Sequence, residues 1–207
     1  RQPQIVKPRQ TIRRLALMAL TLMVVISMPP HWKYPLEVTA LNVGQGDCLL
    51  IRTPYNQHIL IDGGGDSVYW QERGRDVGLE RVVPYLKYRG INRIDAVILS
   101  HPHEDHLFGL LAVLDNLKVD VVFDNGKKAD SPTYQRYLEL LGEHNVPRYS
   151  VADGDEVTLH GGVKLRFLHP NKGTVDMLSH NDASLVLALD YQRTTMLFTG
   201  DLEIVGM

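Results

Sequence analysis

The sequence predicts an α/β fold in which two sheets and their helices stack as layers. Three observations carry this. Strand-like and helix-like segments alternate from residue 36 onward. RIDAVILS (93–100) is apolar nearly throughout, as a strand covered on both faces would be. ASLVLALDYQ (183–192) and TTMLFTGD (194–201) read as a hairpin turned near Arg193, and so as part of a second sheet. The 207 residues suffice for one sizeable domain with its own core. Apolar residues make up 44% and charged ones 22%, which places the chain among folded proteins. A formal net charge of −2 excludes an overall basic coat for nucleic acid but leaves room for a local patch. The single cysteine, Cys48, excludes an internal disulfide and a cysteine-built zinc site, and its apolar surroundings make it a buried, inert thiol.

Residues 1–11 are a basic juxtamembrane segment, and 12–30 read as a transmembrane helix. The uncharged run 15–28 is shorter than the ~20 residues of a simple span, but Ile12 and snorkelling Arg13 and Arg14 lengthen it. It is apolar all round, without the polar stripe of a soluble helix. Pro29 and Pro30 close it without the small-x-small pattern of a signal cleavage site. Arg1, Lys7, Arg9, Arg13 and Arg14 precede the run and only Lys33 closely follows, so residues 31 onward are expected outside the cytoplasm. The chain opens on Arg1 and stops just past a strand, and is read as a piece of a longer protein.

A linker, PHWKYP (30–35), leads into LEVTALNV (36–43), which alternates like a strand. GQGD (44–47) is a turn, and CLLIRTP (48–54) returns as the second strand of a hairpin. QHILIDGGG (57–65) is a third strand ending in glycines, followed by a polar loop over 67–78. LERVVPYLKYRG (79–90) is a helix whose start Pro84 limits and whose end Gly90 marks. The strand 93–100 then delivers SHPHEDHLFG, and LFGLLAVLDNL (107–117) continues as a helix. VDVVFDNG (119–126) is a strand, and 131–145 a helix capped by Ser131 with Pro132 at its first position. VPRYSV, DEVTLHG and VKLRFLHP (146–151, 155–161, 163–170) are strands before the closing hairpin.

The chemistry concentrates at 101–106, where His101, His103, Asp105 and His106 fall within six positions. Imidazole nitrogen and carboxylate oxygen suit divalent ions of borderline softness. His101 and His103 leave a strand two apart and can share one pocket. Asp105 and His106, at the start of a helix, can face a second position beside it. Two adjacent ions clamp and stabilise an attack at phosphorus or a carbonyl carbon. A histidine-rich surface turn is the plainer alternative, but a buried strand before the cluster and a helix after it weigh against that. Asp62 and Asp201 also end apolar strands, where layered α/β sheets present functional groups, although an aspartate before glycine often only caps a turn.

At these residues the chain resembles a known family. ILIDGG, SHPHEDH and LFTGD are similar, in order, to successive motifs of the metallo-β-lactamase superfamily, the central one matching H-x-H-x-D-H in full. LNVGQGDCLLI, VVPYLKYRGINRIDAVILSHPHEDH and NDASLVLALDYQRTTMLFTGDLE resemble the carboxy-terminal domain of the ComEC family of bacterial competence proteins, which form a DNA-uptake channel. The resemblance covers about 36–207. It implies a four-layer αββα sandwich after the last membrane span of the channel, in the bacterial cell membrane with the hydrolase on the extracytoplasmic side. It implies two divalent ions, zinc or manganese. His101 and His103 would bind the first, Asp105 and His106 the second, with Asp201 bridging and Asp62 holding the histidine loop by hydrogen bonds. His180 stands where the superfamily's third motif places a histidine; Asn181, Asp182 and His169 are the alternatives. The superfamily's last histidine would follow Asp201 by several tens of residues, so the domain is expected to be incomplete at its carboxyl end.

Three functions follow. The leading one is a metal-dependent nuclease of a competence protein, acting on DNA during uptake, with Asp105 orienting the nucleophile and assisting proton transfer; other uptake proteins would be partners. Arg73, Arg75, Arg81, Lys87, Arg89, Lys127 and Lys128 are candidates for a basic surface beside the metals. The second is a membrane-anchored hydrolase of another phosphoester or ester. The third is a non-catalytic DNA-binding or structural module of the channel.

Overall fold

The computed structural model describes residue 18 and residues 34–65 and 74–203. The chain divides into two units, Arg1–Lys33 and Tyr34–Met207. The expected segments 1–11 and 12–30 lie outside the described residues apart from Met18, as do Arg73 and most of the expected 67–78 loop. Among the described residues no helix is long and apolar enough to cross a membrane.

Strands β1 (Glu37–Ala40), β2 (Leu49–Arg52) and β3 (His58–Ile61) come first. A π-helical turn, Gly78–Val82, runs into helix α1 (Val83–Tyr88). Pro84 has no N–H to extend a regular ladder backward, so α-geometry begins only at Val83. The expected strand 93–100 is two pieces, β4 (Arg93–Ile94) and β5 (Ala96–Leu99). The break at Asp95 is local: its carboxylate accepts the His58 N–H at 2.8 Å. Helix α2 (Glu104–Asn116) starts earlier than the apolar pattern suggested, because Glu104 and Asp105 supply acidic charge to its first turn. Next come β6 (Lys118–Val119) and β7 (Val122–Asp124). Helix α3 (Pro132–Glu143) is capped as expected, Ser131 accepting the Tyr134 N–H. Strand β8 (Arg148–Ser150) follows it.

The main sheet has the order β1-β2-β3-β5-β7-β8, antiparallel through β3 and parallel from β3 to β8. β4 and β6 form a separate parallel pair. The second sheet, β9 (Glu156–Thr158), β10 (Lys164–His169), β11 (Val186–Tyr191) and β12 (Thr194–Phe198), is antiparallel in the order β12-β11-β10-β9. Side chains alternate across the main sheet as the pleat requires. Leu60, Val97 and Leu99 face the helices and pack with Leu86, Leu107, Leu110 and Tyr137. Ile59, Ile61, Ala96 and Ile98 face the second sheet and meet Leu165, Phe167, Leu187 and Leu189. Two cores therefore cover both faces of the central strands, which is why β5 is apolar at every position. The order helix, sheet, sheet supplies three of the four expected layers. Among the described residues no helix packs on the outer face of the second sheet, which carries the Arg166–Asp190 ion pair at 2.6 Å.

Candidate metal centre

The centre forms where parallel β3 and β5 end side by side, Ile61 paired with Ile98. One residue on, Asp62 turns into the left-handed region at φ 57°, which aspartate tolerates better than most residues. Its carboxylate is 1% exposed and accepts three hydrogen bonds. They come from Ser100 N–H at 2.7 Å, Ser100 Oγ at 2.7 Å and His106 Nδ1 at 2.9 Å. Ser100 Oγ thus spends its one proton on Asp62, so at 3.0 Å it can only accept from His101 Nδ1. Both imidazoles, 0% and 1% exposed, are left with Nε2 facing the centre.

His101 Nε2 and His103 Nδ1 approach to 3.1 Å. The ring of His103 stacks on that of His180 at 5.2 Å, and His101 lies 4.2 Å from His106 between centroids. His106 Nε2 stands 3.4 Å from Asp201 Oδ1. Burial first, then the neighbouring imidazoles His106, His103 and His180, push His101 down to about 3, so it keeps an open lone pair. Burial works against charge on His106 too, but Asp62, with Asp201 and Asp105, lifts it to about 9. Two buried imidazole nitrogens, His106 Nε2 and His180 Nδ1, have no hydrogen-bond partner among the described residues. One ligand atom each of His101, His106 and Asp201 lies within 4.8 Å of the others. Converging lone pairs, unpartnered buried nitrogens and a carboxylate fit a divalent cation in both charge and donor type.

His180 reaches the cluster from the second sheet, on the loop between β10 and β11. Of the alternatives His169 is engaged, whereas Asn181 Oδ1 and Asp182 Oδ1 are, like His180 Nδ1, buried with no hydrogen-bond partner among the described residues. His169 Nε2 donates to the Asp182 carbonyl at 2.7 Å, Asp182 Oδ2 accepts from Ser179 Oγ, and Asn181 Nδ2 donates to Glu203. Asp105 sits in the first turn of α2, where Gln45 Nε2 donates to its Oδ2 at 3.3 Å.

Ser100, Asn125, Gln45 and Asp47 belong to the centre and were missed by sequence reasoning. Asn125 Nδ2 donates to Ser100 O at 3.3 Å and Ala183 O at 2.7 Å, joining the loops of the two sheets. Leu185 N–H donates to the same Ser100 carbonyl. The signal for Asn125 was its place just past β7, the neighbour of Asp62 and Ser100 at the ends of adjacent parallel strands. Gln45 and Asp47 lie in GQGD, which is more than a turn. Gly64 N–H donates to Asp47 O and Gly65 N–H to Gln45 O. Gly46, at φ 72°, lies so close to α2 that a Cβ there would fall 1.7 Å from Asp105 O. The loop, the Asp62 turn and the histidine loop are one interlocked unit.

The basic candidates scatter. Arg89 donates to Glu37, at the end of the sheet remote from the histidines by register. Arg81 donates to Asn42, and Arg75 lies 3.7 Å from Glu80. Lys127 approaches the centre: its Nζ donates to Val175 O at 3.0 Å, and its charge bears on His180.

A family model described as the metallo-beta-lactamase superfamily matches residues 41–207. ComE operon protein 3 of Bacillus subtilis (strain 168) is 29% identical over 177 residues, 82% of this chain and 22% of that protein. Competence protein ComA of Neisseria gonorrhoeae is 29% identical over 169 residues, 82% of this chain and 20% of that protein. The chain thus spans about a fifth of the length of these curated relatives. Among solved structures, the metallo-beta-lactamase fold protein YhfI from Bacillus subtilis is 17% identical, with a TM-score of 0.49 over 81% of this chain and 63% of that one.

Proposed function

Since the chain belongs to the metallo-β-lactamase superfamily, we propose that it is the metal-dependent hydrolase part of a ComEC-like competence protein and cuts phosphodiester bonds in DNA. The observation that carries the hydrolytic reading is the convergence of ligand atoms of His101, His106 and Asp201, with the rings of His103 and His180 beside them and His106 Nε2 and His180 Nδ1 unpartnered among the described residues. The DNA substrate, the membrane and the other uptake proteins as partners come from the similarity to the two competence proteins. The placement on the extracytoplasmic side of a bacterial membrane rests on the basic residues that precede the apolar run 15–28.

In this reading His101, His103 and His180 hold one zinc or manganese ion, Asp105 and His106 hold a second, and Asp201 is shared. Bound ions would lower the pKa of a water and offset charge on the phosphoryl oxygens. The chain's own residues supply the rest. Asp62 fixes the tautomers of the loop through Ser100 and His106. Asp105, oriented by Gln45, aligns the attacking water and takes its proton. Lys127, whose charge reaches His180, is the cation that meets the substrate phosphate.

The test is cleavage of single-stranded DNA by the chain with Mn²⁺ or Zn²⁺, beside a His103→Ala/Asp105→Ala double variant. Metal-dependent cutting that the double variant lacks is the expected result. Metal bound at stoichiometric amounts without any cutting would refute the nuclease and turn the search to another phosphoester.

A further inference from the structure

Four carboxylates, Asp47, Asp62, Asp105 and Asp201, gather around His106. Among the described residues none of them is partnered by lysine or arginine: Asp62 is satisfied by Ser100 and His106, and Asp105 accepts from Gln45. Asp47 makes no side-chain hydrogen bond among the described residues, yet it is firmly placed. Its carbonyl accepts the Gly64 N–H at 2.7 Å, and the preceding Gly46 is wedged against the Asp105 backbone. One ligand atom each of Asp47, Asp62 and His106 lies within 4.8 Å of the others, so His106 belongs both to this set and to the set with His101 and Asp201. The cavity of about 200 Å³ beside the centre is lined by Asp47, Asp62, Ser100, Thr199 and Gly200, so Asp47 opens onto the same space. His106 itself is 1% exposed, and its Nε2 has no hydrogen-bond partner.

We infer that Asp47, in the GQGD loop, is a metal-binding carboxylate on the His106 side of the centre. An exposed carboxylate with no side-chain partner among the described residues, locked by its backbone within 4.8 Å of a ligand atom of the buried His106, is arranged to receive a cation. Two further carboxylates nearby, Asp105 and Asp201, add negative charge that favours a cation. The residue also explains the loop: Gly46 lets the chain pass flush over Asp105 and deliver Asp47 to His106.

The inference rests on the metal-dependent reading above but not on DNA cleavage, so its test counts ions. Mn²⁺ binding to the 207-residue chain is followed by calorimetry and by the electron paramagnetic resonance of bound manganese, for wild type, Asp47→Asn and Asp47→Glu. Asp47→Asn keeps the backbone contact to Gly64, so a merely structural role would leave binding unchanged. The expected result is a second Mn²⁺ bound about 10- to 100-fold more weakly in Asp47→Asn, with the first ion retained and Asp47→Glu largely restored. Equal affinity for both ions in wild type and Asp47→Asn would overturn the inference while leaving the metal-dependent reading intact. A wild-type chain that binds no manganese would overturn both.

Discussion

Asp62 shows how one side chain sets the state of two others. Replacing it by alanine strands three donors, Ser100 N–H, Ser100 Oγ and His106 Nδ1, in a site 1% exposed. Breaking such a buried charged network costs about 3–5 kcal/mol, so Asp62→Ala is expected to lower the unfolding free energy by that order in a urea titration. Asp62→Asn separates fold from function. The amide still accepts from Ser100, but its NH₂ faces His106 Nδ1 and moves the imidazole proton to Nε2, the atom turned toward Asp201. A smaller stability loss with about 10- to 100-fold weaker metal binding is expected by calorimetry; unchanged affinity would show that His106 does not offer Nε2 to the ion. At this scale the sequence is readable where chemistry is dense. Four ligand-type residues in six positions announce themselves. Asn125 does not, because an amide acting on two carbonyls 25 and 58 residues away leaves no local pattern.

Elements were legible in proportion to how far local pattern decides them. The Ser131–Pro132 start of α3 was plain, since cap and first-turn proline act within one turn. The joints were not. The separation of β4 from β5 depends on Asp95 binding the backbone of His58, and the GQGD loop takes its shape from α2 across the fold. Glu37 is another joint. It ties β1 to Arg52 on β2 and to Arg89 just past α1. The Arg89 hydrogen bond, helped by the charges of both arginines and opposed by burial, holds its carboxyl below the usual range. A folded pKa lower than the unfolded one of about 4.3 means the joint stabilises above that pH. The contribution is lost as pH falls through the folded value. Thermal melts from pH 7 to pH 3 are expected to show a shallower acid limb for Glu37→Gln, by less than about 1 kcal/mol because the pair is partly exposed. Parallel acid limbs in the two proteins would remove Glu37 from the account.

At the scale of the molecule, the centre is a seam between two sheets. His101, His103 and His106 follow β5 of the main sheet, whereas His180 and Asp201 flank β11 and β12 of the second. Beside the centre the seam is closed by the Ser100 carbonyl, which takes Leu185 N–H and Asn125 Nδ2. The apolar core between the sheets holds it elsewhere. An ion bound by residues from both sides adds a tie that the unfolded chain lacks, and mass action makes it worth about 2.7 kcal/mol at a free concentration 100 times Kd. For a domain of this size that is a rise of several degrees in Tm. Melts of the chain with Mn²⁺ and with a chelator should differ by that amount. His180→Ala should lose much of the difference, because Asp201 would then be the second sheet's remaining ligand to the ions. A metal-induced rise that survives intact in His180→Ala would mean that the second sheet ties the ion through Asp201 and contributes no ligand through His180.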